Sequence, residues 1–179
     1  MLSEKMQAAL NEQINKEMFS AYLYMSMSNK ADSMGLKGTS TWFMVQYHEE
    51  MVHAMKIYEY VNRCGGNVEL EAIAKPDSDF PTISVMFQKA LEHERFITRS
   101  INELVDIAVS EKDHATQIFL SWYVTEQVEE EESVNDILQK LKLMGDNPGA
   151  LYMMDKELGA RTVNVPTDFS AGVEAAMGE

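Results

Sequence analysis

The chain has 179 residues, with 15 Lys and Arg against 29 Asp and Glu, a formal net charge of −14. That balance repels phosphate backbones and anionic lipid, whose capture depends on Lys and Arg, so no nucleic-acid and no membrane partner is expected. Hydrophobic residues make up 45% of the chain, enough for a core; no run approaches the ~18 apolar residues of a membrane span, and a lone cysteine, Cys64, excludes an internal disulfide or a four-cysteine metal centre.

Met1 to Met6 is charged at once and lacks an apolar leader, so a reducing compartment, the cytoplasm, is the expected location. Four segments without proline, roughly 3–34, 39–64, 82–111 and 113–144, repeat apolar residues at helical spacing. The first steps through Met6, Leu10, Ile14, Met18, Ala21 and Met25, with Ser3 as its N-cap and Gly35 as its stop. Gly35-Leu-Lys-Gly38 is short enough to fold the second segment back as a hairpin, capped at Thr39-Ser40 and stopped at Gly65. Gly65 to Pro81 is long and carries Gly-Gly, Pro-Asp and Phe-Pro, which suits a crossover running the length of a bundle. The third segment carries Phe87, Leu91, Ile97, Ile101, Leu104 and Ile107. A tight turn at Glu111-Lys-Asp113 folds the fourth against it, with Asp113 as cap and Gly145 as stop. Asn147-Pro148-Gly149 opens a shorter helix to about Gly159. The expected fold is all-α: an antiparallel four-helix bundle (3–144) of two hairpins joined by a long crossover, plus a short fifth helix (147–159). These form one domain over 1–160, followed by a flexible C-terminal tail, 161–179, rich in Gly, Ala, Ser and Thr.

Chemistry enters with Glu50-Met-Val-His53, a carboxylate and an imidazole three apart and hence on one helix face. One such pair is common on solvated helices; its spacing to other residues is not. Glu17 lies 33 residues before Glu50 and 36 before His53, while Glu94 lies 33 before Gln127 and 36 before Glu130. All three positions, and Glu49 with Glu126, therefore repeat at an offset of 77. The midpoint of 17 and 53 is 35 and that of 94 and 130 is 112, each inside a hairpin turn. Residues equidistant from a turn share a level on antiparallel helices, so five ligand-type residues and one amide meet at one height in two related halves. Glu17 sits on or beside its apolar stripe and Glu94 squarely within its own. Carboxylates are rarely buried unless paired or metal-bound, and several together cannot all ionise without a cation. A carboxylate and imidazole set suits Fe, Mn or Zn.

A Glu from each of two helices with an i, i+3 pair from each of the others is the known pattern of ferritin-like di-iron bundles. Over roughly residues 1–160 the chain resembles a prokaryotic non-haem ferritin, and Glu17, Glu50-x-x-His53, Glu94 and Gln127-x-x-Glu130 match that family's ferroxidase centre. The resemblance implies that Glu17, Glu50 and His53 hold a first iron, that Glu50 bridges to a second held by Glu94 and Glu130, and that Gln127 lies near bound dioxygen. It further implies a third iron site at Glu49, Glu126 and Glu129, a tyrosine beside the centre at Tyr24, and a hollow homo-oligomeric shell of twenty-four subunits whose fifth helices cluster on four-fold axes. The implied activity is oxidation of Fe(II) by dioxygen and storage of ferric oxyhydroxide.

Departures narrow the subfamily. A bacterioferritin-type centre carries Glu-x-x-His twice, whereas positions 127 and 130 here are Gln and Glu. Met51 stands where bacterioferritins present a haem ligand, yet fourteen methionines make a methionine weak evidence, and haem is not expected. Gln117 and Leu120 replace the acidic pair of animal three-fold channels. His48, His93 and His114 read as surface or packing residues, Met44, Met55, Trp42 and Trp122 as core. In the run Glu129 to Glu132 the centre takes Glu130, the third site takes Glu129, and the rest reads as a solvated face. The alternative function is a rubrerythrin-like di-iron oxidase or peroxidase without storage, although one cysteine cannot build that family's four-cysteine domain. A DNA-coating miniature ferritin conflicts with the charge. A metal-free scaffold is the bland rival, and it predicts no thermal stabilisation by Fe(II) or Zn(II).

Overall fold

Ser3 starts the first helix by accepting a hydrogen bond from the Met6 N–H at 3.0 Å. The computed structural model of the chain describes residues 2–173. Within them lie α1 (Glu4–Ser33), α2 (Lys37–Arg63), α3 (Ile83–Glu111), α4 (His114–Met144) and α5 (Pro148–Leu158), with no strand among the described residues. Gly35, at φ +80°, reverses the chain between α1 and α2, and Lys112, at φ +58°, does the same between α3 and α4. The two hairpins pack through α1 against α3, and α5 lies against α2 and α4. Fold class and segment order are as expected, with helix ends shifted by one or two residues.

One cap differs. Thr39 and Ser40 do not start α2, which begins two residues earlier at Lys37 with no side-chain cap of its own. The cap comes instead from α5: Asp155 accepts from the Gly38 N–H at 3.0 Å, the Thr39 N–H at 2.8 Å and the Thr39 hydroxyl at 2.8 Å. A carboxylate at a helix N-terminus meets both free donors and the positive end of the dipole, so this contact docks α5.

Elsewhere the caps are local, and one is testable. Asp113 accepts from the Thr116 N–H at 3.0 Å and the Thr116 hydroxyl at 2.5 Å. Asp113→Ala removes both and lowers stability by about 1 kcal/mol, readable by denaturant unfolding.

The crossover runs alongside α1 and is pinned by its polar face. Gln7 accepts from the Asn67 N–H at 2.9 Å, Asn11 donates to the Asn67 carbonyl at 3.1 Å, and Ser26 donates to the Asp77 carbonyl at 2.7 Å. Apart from Val173, which is fully buried, the described part of the tail is exposed or half-buried. Residues 174–179 lie outside the described residues.

The α1 stripe also differs from expectation. Met25 is exposed and Met18 only half-buried, because successive steps of four drift around a helix of 3.6 residues per turn. The buried line runs Leu10, Ile14, Glu17, Ala21, Tyr24, Met27, Ala31, passing through Glu17 itself. Of the four residues read as core, only Trp42 is fully buried; Met44, Met55 and Trp122 are half-buried.

The apolar core is divided in two. One cluster gathers Tyr24, Met27, Phe43, Phe87 and Val134, with Phe43 and Phe87 stacked at 4.9 Å. The other gathers Leu10, Ile14, Ile57, Ile97 and Leu120. On α1, α2, α3 and α4 alike, the break falls where Glu17, Glu50 and His53, Glu94, and Gln127 and Glu130 point inward.

Candidate metal centre

Each helix delivers its polar residues to the break between the two clusters. Glu17, Glu50, His53, Glu94, Gln127 and Glu130 are all at most 7% exposed. Ligand atoms of Glu17, Glu50 and His53 lie within 4.8 Å of one another, and His53 Nδ1 stands 3.4 Å from Glu50 Oε2. Glu17 Oε2 and Glu50 Oε2 are buried with no hydrogen-bond partner among the described residues. Two unpartnered carboxylate oxygens beside an imidazole, sealed from water, are what a divalent cation would satisfy.

The other half is held by protein donors. Tyr24, wholly buried, donates its hydroxyl to Glu94 Oε1, while Gln127 Nε2 donates to Glu94 Oε2 at 3.1 Å. Glu130 Oε2 accepts from Gln46 Nε2 at 2.8 Å. Tyr123 closes the gap between α4 and α2 by donating to the His53 carbonyl at 2.7 Å.

Electrostatics shows the strain of gathering these groups. Burial, then the neighbouring Glu50 charge, pushes Glu17 up to about 8. Burial likewise raises Glu50 and Glu130, and lifts Glu94 well above the usual carboxylate range with help from Glu130. Burial opposes charge on His53, yet the carboxylates of Glu50, Glu17 and Glu130 outweigh it and lift the imidazole to about 10. Protons thus remain on these groups where a cation would serve better.

Glu49, Glu126 and Glu129 stand apart, on the α2–α4 side. With His53, Glu130 and Trp122 they line a cavity of about 310 Å³, and Glu49 is already engaged by Arg161 at 2.6 Å. Of the residues read as bland, His93 packs among Phe19, Tyr24 and Phe96, where burial pushes it down to about 4. His48 lies against Tyr47 and His114 is exposed. Glu131 is not a solvated residue: Thr98 donates to it at 2.7 Å and Arg95 pairs with it at 3.5 Å.

Sequence reasoning missed the residues that hold the ligands. Gln13 Nε2 donates to Glu17 Oε1 at 2.8 Å and its own oxygen accepts from Ser100 at 2.6 Å, which in turn accepts from Lys16 at 2.8 Å. The signal was present: Gln13 and Gln46 are 33 apart, the separation of Glu17 and Glu50, one helical turn earlier.

The family model for the ferritin-like domain matches residues 7–144. The chain belongs to the ferritin family. It is 42% identical over 156 residues to a bacterial non-haem ferritin of Campylobacter jejuni, covering 87% of this chain and 93% of that one. To the bacterial non-haem ferritin of Staphylococcus aureus it is 41% identical over 162 residues, covering 90% and 98%. Among solved structures of ferritins, the open pore ferritin of the archaeon Archaeoglobus fulgidus superposes with a TM-score of 0.90 at 51% identity, covering 90% of this chain and all of that one. An engineered closed form of the same ferritin gives 0.89, also at 51%. No helix among the described residues is long and apolar enough to cross a membrane.

Proposed function

We propose that this ferritin stores iron, oxidising Fe(II) with dioxygen at the buried centre and collecting ferric oxyhydroxide inside a shell of twenty-four copies in the cytoplasm. One observation carries the reading: Glu17, Glu50 and His53 bring ligand atoms within 4.8 Å of one another at a break in the core where Glu94 and Glu130 are also buried, and Glu17 Oε2 and Glu50 Oε2 have no hydrogen-bond partner among the described residues. In this assignment Glu17, Glu50 and His53 take one Fe(II). Glu50 bridges to a second, which Glu94 and Glu130 share, with Gln127 and Tyr24 alongside. Glu49, Glu126 and Glu129 take a third.

Iron supplies the redox chemistry, and dioxygen takes the electrons. The chain binds, orients and releases protons. Gln13 and Gln46 keep Glu17 and Glu130 in place, while Tyr24 and Gln127 hold Glu94 until a cation claims its oxygens. Because burial raises these carboxylates, their protons leave as the metal enters, so affinity climbs with pH.

Aerobic loading of the apo-protein with excess Fe(II), followed by size exclusion with iron detection, tests the proposal. Soluble ferric iron eluting with a very large assembly, far beyond three irons per chain, is the expected result. Two or three irons on a dimer-sized species would leave a di-iron oxidase and end the storage reading.

A further inference from the structure

Beyond α5 the chain turns back over the groove between α2 and α4. Close approach of Gly159 to Gly38 sets where it leaves the fifth helix, since a Cβ on Gly159 would lie 3.0 Å from the Gly38 Cα. Arg161 then projects into the groove. Its guanidinium lies 4.7 Å from the centre of the Trp42 ring, and its Nη2 donates to Glu49 Oε2 at 2.6 Å. Its other terminal nitrogen, Nη1, is buried with no hydrogen-bond partner among the described residues. Val165 covers the same cavity, and twelve residues after Arg161 the Val173 N–H donates to Glu59 at 2.7 Å, with Val173 fully buried. Residues 161–173 therefore form a strap anchored at Glu49 and Glu59 along α2.

We infer that Arg161 is a built-in counter-cation that occupies Glu49 in place of a metal ion, so that filling the outer site requires the guanidinium to leave. This rests on reading Glu49, Glu126 and Glu129 as a third iron site. The cavity holds four carboxylates, from Glu49, Glu126, Glu129 and Glu130, and Arg161 is the Lys or Arg residue in its lining. The guanidinium takes up Glu49 Oε2, one of the two oxygens a metal could use, and its charge repels a divalent ion a few ångströms away.

Arg161 has somewhere to go. On its far side it lines a second cavity of about 340 Å³ with Trp42, Asp136, Lys140 and Glu157; Lys140 already pairs with Glu157 at 2.5 Å, and Asp136 offers the other carboxylate. The arrangement makes the outer site weak and transient, suited to passing an ion on, while the buried centre keeps its own affinity.

The test is anaerobic calorimetric titration of the assembled apo-protein with Zn(II), comparing wild type with Arg161→Met, Arg161→Lys and Glu126→Gln. Met keeps a long apolar stem over Trp42 and removes the charge; Lys keeps the charge. Expected is a third equivalent of Zn(II) that binds about tenfold tighter in Arg161→Met, with wild-type affinity in Arg161→Lys and the first two equivalents unchanged in both. Hydrogen exchange supplies a second readout: amides 162–173 of the wild type, Val173 included, become less protected on adding the third equivalent but not the first two. Equal third-equivalent affinity in wild type and Arg161→Met overturns the inference and leaves the third site standing. Tightening in Arg161→Lys as well overturns it too, because packing rather than charge would then be responsible. A third equivalent that is missing from both the wild type and Arg161→Met, or untouched by Glu126→Gln, overturns the third-site reading and the inference with it.

Discussion

Glu17→Gln makes the metal-free protein more stable while removing rapid Fe(II) oxidation. The wild-type carboxylate is 1% exposed, beside Glu50, with one oxygen unpartnered. Gln13 already donates to the other oxygen, Oε1, which the new amide's carbonyl can replace. The amide NH₂ then faces Glu50 and donates to it, and folding no longer has to hold a proton on residue 17. The gain is about 2 kcal/mol at pH 7, or ~5 °C in Tm for a chain of this size. Oxidation falls ~100-fold or more, because a neutral amide is a poor iron ligand.

The pH dependence follows from the same burial. Unfolded, Glu17 gives up its proton near 4.5; folded, it keeps it to about 8. The folded state thus binds the extra proton, and the associated stability is full below 4.5 and lost as pH rises to 8. His53 acts in the same sense over a higher window, from 6.5 to about 10. Calorimetry of the apo-protein from pH 5 to 8 reads a declining Tm in the wild type and a flatter one in Glu17→Gln. Zn(II) restores the wild type at pH 8, since a cation bound only by the folded state raises its stability. Identical Tm values for the two proteins at every pH would remove the case for a strained, metal-seeking cluster.

Why so much of this centre could be read from residues alone comes down to symmetry about two turns. Gly35 and the Glu111–Asp113 turn set the level at which antiparallel helices face one another, so equal distances from them bring Glu17 to His53 and Glu94 to Glu130. Burial of Glu94 was visible because Leu91 and Ile97 flank it at three-residue steps. Helix faces are less forgiving: Met18 and Met25 looked like core because a run of fours was followed too far. Contacts made across the fold left the weakest trace. Nothing near Thr39 announces that Asp155, more than a hundred residues later, caps α2, and nothing in a Gly, Ala, Ser and Thr-rich segment announces Arg161 on Glu49. Those links depend on where α5 lands, which no local periodicity encodes.

That landing is open to direct attack. Gly38→Ala is expected to break up the proposed shell while leaving the four-helix bundle and the proposed oxidation chemistry intact. A Cβ at Gly38 would stand 1.6 Å from the Asp155 carbonyl oxygen and 2.9 Å from the Gly159 nitrogen, both backbone atoms with no rotamer to yield. The α2 terminus tolerates Ala for propensity, so the clash falls on the docking of α5 alone. With α5 displaced, Asp155 no longer caps Gly38 and Thr39, at a cost of about 1–2 kcal/mol. Leu143, Tyr152 and Met153, which are 88%, 67% and 64% exposed, then lose their fixed relation to one another. These side chains are the part of the exposed apolar surface that lies on α5 and the adjoining end of α4, and a closed shell needs every copy to present such a surface at one angle. Light scattering coupled to size exclusion is expected to show species far smaller than the wild-type assembly, with circular dichroism still helical and stopped-flow Fe(II) oxidation retained. Ferric iron, having no enclosed cavity, then precipitates instead of staying in solution. An undiminished assembly in Gly38→Ala would mean that α5 need not be docked as described for copies to associate, and storage would have to be located elsewhere than in a shell closed through that helix.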